Sequence, residues 1–191
     1  MSTTQRFYDD LADDYHLIFR DWEKTVERQG RVLDTVIRSR RPMARTLLDC
    51  ACGIGTQAFG LAARDWRVTG SDFSAGAIGR ARLLAVERGL GVPFLVADMR
   101  NLRAVIDDRF DVVLVADNAL PHLLSEQDLI AALTEIHGLV VDGGLFVASI
   151  RDYDRLRQER PTVMAPQFSD DGSFTHQVWH WFNETHYQMH F

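Results

Sequence analysis

The chain has 191 residues, 46% of them apolar and 25% charged, which is typical of one soluble globular domain. Lys and Arg number 21 against 27 Asp and Glu, and this net charge of -6 argues against a protein that binds nucleic acid through phosphates. The sequence has no run of about 20 apolar residues, no signal-peptide pattern, and two cysteines too close for a useful disulfide (Cys50 and Cys52), so we expect a cytoplasmic protein without membrane contact.

The N-terminal part of the sequence predicts two amphipathic helices. Residues 5–20 place apolar side chains at helical spacing, namely Phe7, Leu11, Tyr15 and Ile18. A second predicted helix spans residues 22–40 and ends before Pro42, because the residue that precedes a proline disfavours the α conformation. We therefore expect residues 1–41 to form an N-terminal helical segment.

From residue 42 onward, short apolar runs alternate with helical stretches. The runs predicted as strands are residues 46–51, 67–71, 93–97, 110–116 and 145–150, and the predicted helices are residues 57–64, 75–88 and 126–139. A continuous apolar run such as residues 111–116 is typical of a parallel strand covered on both faces. The alternation predicts right-handed crossovers and an α/β, Rossmann-like, doubly wound and mostly parallel sheet over residues 42–160.

The C-terminal part of the sequence changes character again. Residues 174–182 and 185–191 predict two strands joined by a polar turn at residues 183–184. We expect residues 161–191 to form an antiparallel hairpin at one edge of the sheet, within one domain that spans residues 1–191. Because the last predicted strand runs to the final residue, we also expect the hairpin to continue beyond this sequence.

The loop after the first predicted strand carries two spaced glycines, Gly53 and Gly55, and a predicted helix follows it. Glycine lets the backbone approach a ligand closely, since a Cβ atom would collide with it. The helix N-terminus offers free N–H groups to an anionic ligand. A tight strand-to-helix turn without a ligand would explain the same two glycines.

Polar side chains follow the next three predicted strands. Asp72 ends the second strand, Asp98 and Met99 follow the third, and Asp117 and Asn118 follow the fourth. Carboxyl ends of parallel strands meet at the edge where open α/β sheets bind ligands, and an acid at the second strand can accept both ribose hydroxyls. Surface capping would explain any one of these residues, but their joint occurrence favours a nucleoside site.

The identity of the nucleoside has two candidate answers. Residues 53–58 fit the dinucleotide fingerprint G-x-G-x-x-G/A, which predicts an NAD(P)-dependent oxidoreductase. Asp49, at the end of the strand before the glycines, would repel a pyrophosphate and suits a ligand with an ammonium or sulfonium group. The sequence also contains one glycine loop rather than two mononucleotide-binding halves.

These motifs together resemble those of class I S-adenosylmethionine (SAM)-dependent methyltransferases. Asp49-Cys-Ala51-Cys-Gly53-Ile-Gly55 is similar to that family's first motif, with Ala51 in the place of its first glycine. The resemblance runs from about Phe7 to Phe182 and implies SAM as the cofactor. The residues that it assigns to cofactor binding are Tyr15, Asp49, Ala51, Gly53, Gly55, Asp72, Phe73, Asp98, Met99 and Asp117.

Two further segments, residues 117–123 and 150–154, resemble the glycine N-methyltransferase-like branch of that family. The resemblance implies that Asn118 and Arg151 line the acceptor site and that Arg151 binds the acceptor's carboxylate. The aromatic stretch that ends at Tyr15 resembles the lid helix of related enzymes. The expected activity is methyl transfer to a small-molecule acceptor, at an amine nitrogen of a carboxylate-bearing compound such as an amino acid.

Each candidate residue of the acceptor site has a chemical role and a simpler alternative. Asn118 offers an oxygen that can orient an N–H group, and His122 offers a base with an ordinary pKa of about 6.5. Arg151 offers a planar fork for a carboxylate. The alternatives are a turn residue for Asn118, a packing histidine beside Pro121, a surface ion pair for Arg151, and an apolar helix face for Tyr15.

The tail contains two pairs of histidines at a spacing of four, His176 with His180 and His186 with His190. On a strand, each pair would point to one face. No carboxylate or cysteine accompanies them at matching spacing, so we expect no metal site. A binding module that holds a cofactor or a metal without turnover is a further alternative, and the sequence is compatible with a homo-oligomer.

Overall fold

The computed structural model describes residues 3–168, 172 and 174–190, and its central element is a five-stranded parallel sheet. The helices are α1 (Thr3–Leu11), α2 (Trp22–Arg40), α3 (Thr56–Ala62), α4 (Ala75–Glu87), α5 (Glu126–Leu139) and α6 (Tyr153–Glu159). The strands of the sheet are β1 (Thr46–Cys50), β2 (Arg67–Asp72), β3 (Phe94–Val96), β4 (Phe110–Val115) and β5 (Val140–Ala148). Short 3₁₀ helices span Tyr15–Ile18, Leu102–Ala104 and Leu120–His122.

The strands lie in the order β3-β2-β1-β4-β5, and every pair within this sheet is parallel. The order reverses between β1 and β4, where Leu47 lies opposite Val112. Such a reversal opens a crevice at the carboxyl ends of the two strands, because their connections leave to opposite sides. The predicted Rossmann-like fold class is confirmed, and the candidate residues at the strand ends meet at this edge.

Consecutive residues of the central strands face opposite layers of the core. Leu47 packs with α2, α3 and α4, whereas its neighbour Leu48 packs with α5 and the helix at Leu102–Ala104. Val112 and Val113 of β4 divide between the two layers in the same way. Helices therefore bury both faces of the central strands, which explains the continuous apolar runs of β1 and β4.

Two predicted elements have different bounds in the structure. The helix expected over residues 5–20 ends at Leu11, and the chain resumes as a 3₁₀ helix at Tyr15. Acidic side chains at residues 13 and 14 disfavour continuation, since negative charge opposes the dipole at a helix C-terminus. Strand β5 begins five residues earlier than expected, because Gly143, with a φ of 72°, lies in an irregular segment that shifts its register with β4.

The predicted C-terminal hairpin is present, but it forms a sheet of its own. Strand β8 (Val178–Trp181) pairs antiparallel with β9 (Tyr187–His190), and this pair does not extend the parallel sheet. The strand expected over residues 174–182 is interrupted, since β7 (Phe174–Thr175) pairs with β6 (Gln167–Phe168) instead. Phe191, the end of the last predicted strand, lies outside the described residues. Among the described helices, none is long and apolar enough to cross a membrane.

Candidate functional site

Three adjoining cavities lie at the carboxyl edge of the sheet. The inner pocket, of about 80 Å³, lies beside Gly53 and Asp72, and the side pocket, of about 250 Å³, lies beside Asp98. The outer cavity, of about 700 Å³, is bounded by α2, Arg151 and the C-terminal segment. His122 lines all three cavities, so they form one continuous region of the surface.

Of the two glycines in the loop, Gly53 lines the inner pocket and Gly55 does not. The space where a Cβ atom of Gly53 would lie is open, and its amide donates a hydrogen bond of 2.9 Å to Asp72. Gly55 has a φ of 96°, and its Cβ atom would meet the Phe59 ring at 2.7 Å rather than a ligand. Gly55 therefore serves the turn and the packing of α3, and Ala51, with a φ of 68°, lines the inner and side pockets.

Asp49 and Asp72 place two buried carboxyl groups beneath the inner pocket. Asp49 is fully buried at the end of β1, and neither of its oxygens has a hydrogen-bond partner of ordinary geometry among the described residues. Burial and then the charges of Asp72 and Asp117 raise the pKa of Asp49 well above its usual range, and the Ala58 amide lowers it only slightly. Asp49 lines none of the three cavities, so its predicted influence on a ligand acts through charge rather than contact.

Asp72 lines the inner pocket at the end of β2. It accepts hydrogen bonds of 2.9 Å from the amides of Gly53 and Ser74, and burial raises its pKa in spite of them. Within the described part of the chain, neither Asp49 nor Asp72 forms an ion pair. Burial alone favours the neutral forms of these acids, and no described cation compensates them, so a bound cation would favour their ionised forms.

The side pocket holds the residues that follow β3. Asp98 lies there, but its carboxylate pairs with Arg100 at 2.6 Å, and these hydrogen bonds hold the pKa of Asp98 below its usual range. Arg100 also reaches Asp128 at 2.8 Å. Met99 lines both the side and inner pockets, and Phe73 does the same from the loop after β2.

Helix α1 lies over the loop that follows β2. Asp9 accepts hydrogen bonds from the Ser74 hydroxyl at 2.6 Å and from the Gly76 amide at 2.9 Å. Gln5 donates one of 3.0 Å to the Phe73 carbonyl. The helix is thus attached to the same loop that holds Asp72, and it forms one wall of the inner pocket.

Two tyrosines of the N-terminal segment, Tyr8 and Tyr15, line both the inner pocket and the outer cavity. The Tyr8 hydroxyl lies 3.1 Å from Nε2 of His122, and burial raises the pKa of Tyr8 to about 12. Burial also raises the pKa of Tyr15. Burial and then the charge of Arg151 lower the pKa of His122, so the imidazole at the junction of the cavities is neutral at physiological pH.

Asn118 lines the outer cavity, but its side-chain oxygen is engaged within the protein. Oδ1 accepts hydrogen bonds from the Tyr153 hydroxyl at 2.8 Å and from the Arg151 amide at 3.2 Å. The preceding residue, Asp117, lines both the inner pocket and the outer cavity. The φ values of Asp117 and Asn118 are 55° and 72°, so the turn after β4 is left-handed at both positions. The expected use of this oxygen to orient an acceptor N–H group does not match this geometry, because both of its lone pairs already have donors.

Arg151 faces the outer cavity and has no carboxylate partner among the described residues. Its guanidinium carbon lies 5.0 Å from the centre of the Trp179 ring, and Nη1 lies 3.4 Å from the Tyr187 hydroxyl. Asp152, an expected partner in the alternative interpretation, caps α6 instead. The positive charge of Arg151 is therefore available to an anion.

Sequence reasoning missed the tail residues that reach the acceptor side. Tyr187 and Trp179 come from the β8–β9 hairpin, and no motif marked them as part of a site. Tyr153 lay within a segment that resembled a known motif, which was the available signal for its contact with Asn118. In the described part of the chain, no three histidine, cysteine or acidic residues come together in a group that could hold a metal ion.

Comparisons with known proteins give a family and a fold. Residues 47–144 match the methyltransferase domain family. A glycine/sarcosine N-methyltransferase of Parasynechococcus marenigrum is 29% identical over 152 residues, which are 80% of this chain and 53% of that protein. A dTDP-3-amino-3,6-dideoxy-alpha-D-glucopyranose N,N-dimethyltransferase of Streptomyces fradiae is 29% identical over 138 residues, which are 72% of this chain and 52% of that protein.

The solved structure of DesVI from Streptomyces venezuelae has the same fold, with a TM-score of 0.72 and 23% identity. The likeness covers 88% of this chain and 68% of DesVI. The region matched in this chain spans about half the length of each of these two relatives, 53% and 52%.

Proposed function

Since this chain belongs to the methyltransferase domain family, whose class I members use SAM, we propose that it methylates an amine nitrogen of a small, carboxylate-bearing acceptor. One observation carries the proposal. Among the described residues, the acids at and beneath the inner pocket have no ion-pair partner, Arg151 in the outer cavity has no carboxylate partner, and His122 lines both spaces. Such a site is suited to a cationic donor on one side and an anionic acceptor on the other.

The donor side fits SAM better than a dinucleotide. SAM carries a sulfonium and an ammonium group, and the charges of Asp49, Asp72 and Asp117 would attract them, whereas a pyrophosphate would be repelled. In this proposal Asp72 accepts the ribose hydroxyls, the backbone at Gly53 lies against the ligand, and the side pocket takes the adenine. When bound, SAM supplies an electrophilic methyl group.

The N-terminal segment would close this side. The hydrogen bonds of Asp9 and Gln5 attach α1 to the loop that carries Asp72, and Tyr8 and Tyr15 form a wall of the inner pocket. We therefore assign residues 1–41 the role of a lid over the cofactor. Exclusion of water by such a lid strengthens the attraction between the buried acids and a cation.

On the acceptor side, Arg151 would bind the carboxylate through two parallel hydrogen bonds. A nucleophilic amine must be neutral, and His122 is a neutral imidazole within reach of both donor and acceptor spaces, so it is suited to take the amine's proton. The remaining task of the protein is alignment at roughly 3–3.5 Å between reacting atoms.

A nucleotide-linked amino sugar is a second candidate acceptor, favoured by the size of the outer cavity. Its volume of about 700 Å³ lies within the range of roughly 300–1,000 Å³ that encloses drug-sized ligands and is generous for an amino acid. Arg20, Lys24 and Arg28 also line it, and such cations suit a phosphate. The relative from Streptomyces fradiae is named for a substrate of this class.

Two measurements test the proposal. A thermal-shift series with SAM, S-adenosylhomocysteine, NADH and zinc tests the donor, since a ligand at 100 times its Kd adds about 2.7 kcal/mol of stability. Stabilisation by NADH and by neither adenosyl compound would overturn it. Mass spectrometry after incubation with SAM and either glycine, sarcosine, ethanolamine or a dTDP-linked amino sugar tests the acceptor, and we expect methylation of the carboxylate-bearing amines.

A further inference from the structure

Four polar groups close a ring of hydrogen bonds at the wall of the outer cavity. The Tyr153 hydroxyl lies 2.8 Å from Oδ1 of Asn118 and 3.3 Å from the Tyr187 hydroxyl. The Tyr187 hydroxyl lies 3.4 Å from Nη1 of Arg151, and the Arg151 amide returns to Oδ1 of Asn118 at 3.2 Å. Three members come from the turns after β4 and β5 and the start of α6, and the fourth comes from β9.

Donor and acceptor chemistry fixes the direction of this ring. The amide oxygen of Asn118 only accepts, so Tyr153 must donate to it, and the single hydroxyl proton of Tyr153 is then used. Tyr153 therefore accepts from Tyr187. Tyr187 in turn accepts from Arg151, because a guanidinium only donates. Tyr187 and Tyr153 together link the side chain of Arg151 to the side chain of Asn118, and Tyr187 is the member that bonds to the guanidinium.

Aromatic stacking holds the position of Tyr187. Its ring lies 4.7 Å from the Trp179 ring at an interplanar angle of 24°, and the Arg151 guanidinium lies 5.0 Å from the same Trp179 ring. These contacts restrict the guanidinium without neutralising it, since an aromatic ring and a hydroxyl carry no net charge. An arginine held in this way keeps its full attraction for an anion.

We propose that Tyr187 is a positioning residue that orients Arg151 toward the acceptor's anionic group, which makes the β8–β9 hairpin part of the acceptor site. The inference rests on the proposed function for the identity of the bound group, and on the ring itself for the positioning. Arg151 would bind the acceptor equally before and during methyl transfer. Loss of its orientation therefore raises the acceptor KM and leaves kcat and the SAM Kd unchanged.

Kinetics of Tyr187→Phe test this role, because the substitution removes the hydroxyl and keeps the stacked ring. With glycine or sarcosine as the acceptor, we expect KM to rise about fivefold, as for loss of one modest hydrogen bond. The residual rate of methylation of ethanolamine, which lacks a carboxylate, should be the same in Tyr187→Phe and in the native protein. Gln188→Ala is the matched control, because Gln188 is exposed on the opposite face of the same strand. Equal losses of SAM affinity and acceptor affinity would overturn the proposal.

A spectroscopic measurement tests the positioning without any turnover. Hindered rotation about the Nε–Cζ bond of Arg151 is measurable by NMR and can be assigned through its loss in Arg151→Lys. We expect the rotation to be at least twofold faster in Tyr187→Phe than in the native protein, and unchanged in Gln188→Ala. Tyr153→Phe interrupts the ring at a second point and should act in the same direction. Equal rotation rates in all forms would overturn the role of Tyr187 even if the enzyme methylates amines as proposed.

Discussion

The carboxyl edge of the sheet has two halves that are built in opposite ways. The half after β1, β2 and β3 is acidic, and its groups are fixed by backbone amides, as Asp72 is by Gly53 and Ser74. The half after β4 and β5 presents a cation, and its groups are fixed by aromatic side chains from the tail. In the proposed function the first half binds the methyl donor and the second binds the acceptor, and we call them the donor half and the acceptor half.

The two halves differ in the sequence separation between the residues that contact one another. Asp72 bonds to residues 19 positions before it and 2 after it, all within the β1–β2 unit and its loops. Arg151 is oriented by Tyr187, 36 positions later, and by a hairpin that is separate from the parallel sheet. The contacts of Asp72 are therefore local in sequence, whereas those of Arg151 are long-range.

Substitution of Asp72 should have the largest effect, and it should affect the donor half. Asp72→Ala removes a buried acid and frees two amides, and we expect SAM affinity to fall at least tenfold and up to about a hundredfold, or about 1.4–2.7 kcal/mol. Calorimetric titration with SAM measures this effect. Asp107→Ala removes the same charge from an exposed loop and should leave the Kd unchanged. An unaltered Kd in Asp72→Ala would remove Asp72 from the cofactor site.

Substitution of Arg151 should affect the acceptor half alone. Arg151→Ala should raise the acceptor KM about tenfold through loss of a charge-assisted carboxylate contact, with the SAM Kd intact. Steady-state kinetics with sarcosine and titration with SAM measure the two quantities. Arg155→Ala is the control, since Arg155 pairs with Glu159 on the exposed face of α6. A parallel loss in both quantities would indicate a folding role for Arg151.

The donor half could be predicted because its signals are local in sequence. The strand that leads into Gly53, and the acids that end successive strands, fix the place of Asp72 and Met99 once the sheet is known to be parallel. The family match confirms the predicted methyltransferase class and its use of SAM. The packing of Gly55 against Phe59 could not be predicted, because this contact depends on how α3 packs and has no sequence signature.

The acceptor half could be predicted only as far as Arg151 and Asn118 themselves. The oxygen of Asn118 is engaged because the Tyr153 hydroxyl at the start of α6 donates a hydrogen bond of 2.8 Å to it, which no spacing rule reveals. The hairpin was predicted from its alternating residues, but its packing against Arg151 depends on contacts 36 positions apart and on a sheet that stands alone. Long-range side-chain contacts of this kind follow from packing rather than from periodicity.

The pH dependence of SAM binding sharpens the contrast further, because among the described residues the buried acids with raised pKa values, Asp49 and Asp72, both lie in the donor half. Ionised Asp49 and Asp72 attract a cation, so SAM affinity should fall, by about fivefold in all, as the pH is lowered from neutrality and these acids are protonated. The stability of the free protein should change in the opposite direction. The stability that these two acids contribute to the folded protein is fully present below their pKa in the unfolded chain, about 3.9. It is lost as the pH rises through their raised pKa values in the folded protein.

Titrations of the native protein and of Asp49→Asn with SAM at several pH values show whether the charge of Asp49 contributes to the pH dependence of SAM affinity. The variant lacks one of the two acids, so its affinity should depend less steeply on pH over the same range. Thermal unfolding of the free protein at each pH measures the predicted change in its stability. Equal pH slopes in both proteins would show that Asp49 does not act on the cofactor through its charge.

The smallest expected effect concerns the attachment of the N-terminal segment to the donor half. Asp9→Ala removes two hydrogen bonds between α1 and the start of α4 while leaving every cavity residue in place. Because these bonds hold a wall of the inner pocket rather than the ligand, we expect SAM affinity to fall only about threefold, and dissociation of SAM to become faster by the same factor. Stopped-flow measurement of SAM release, with Asp10→Ala as the charge-matched control on the exposed side of α1, tests this. A dissociation rate that is equal in Asp9→Ala and the native protein would mean that α1 does not act as a lid, and the donor half would then hold its ligand through the strand ends alone.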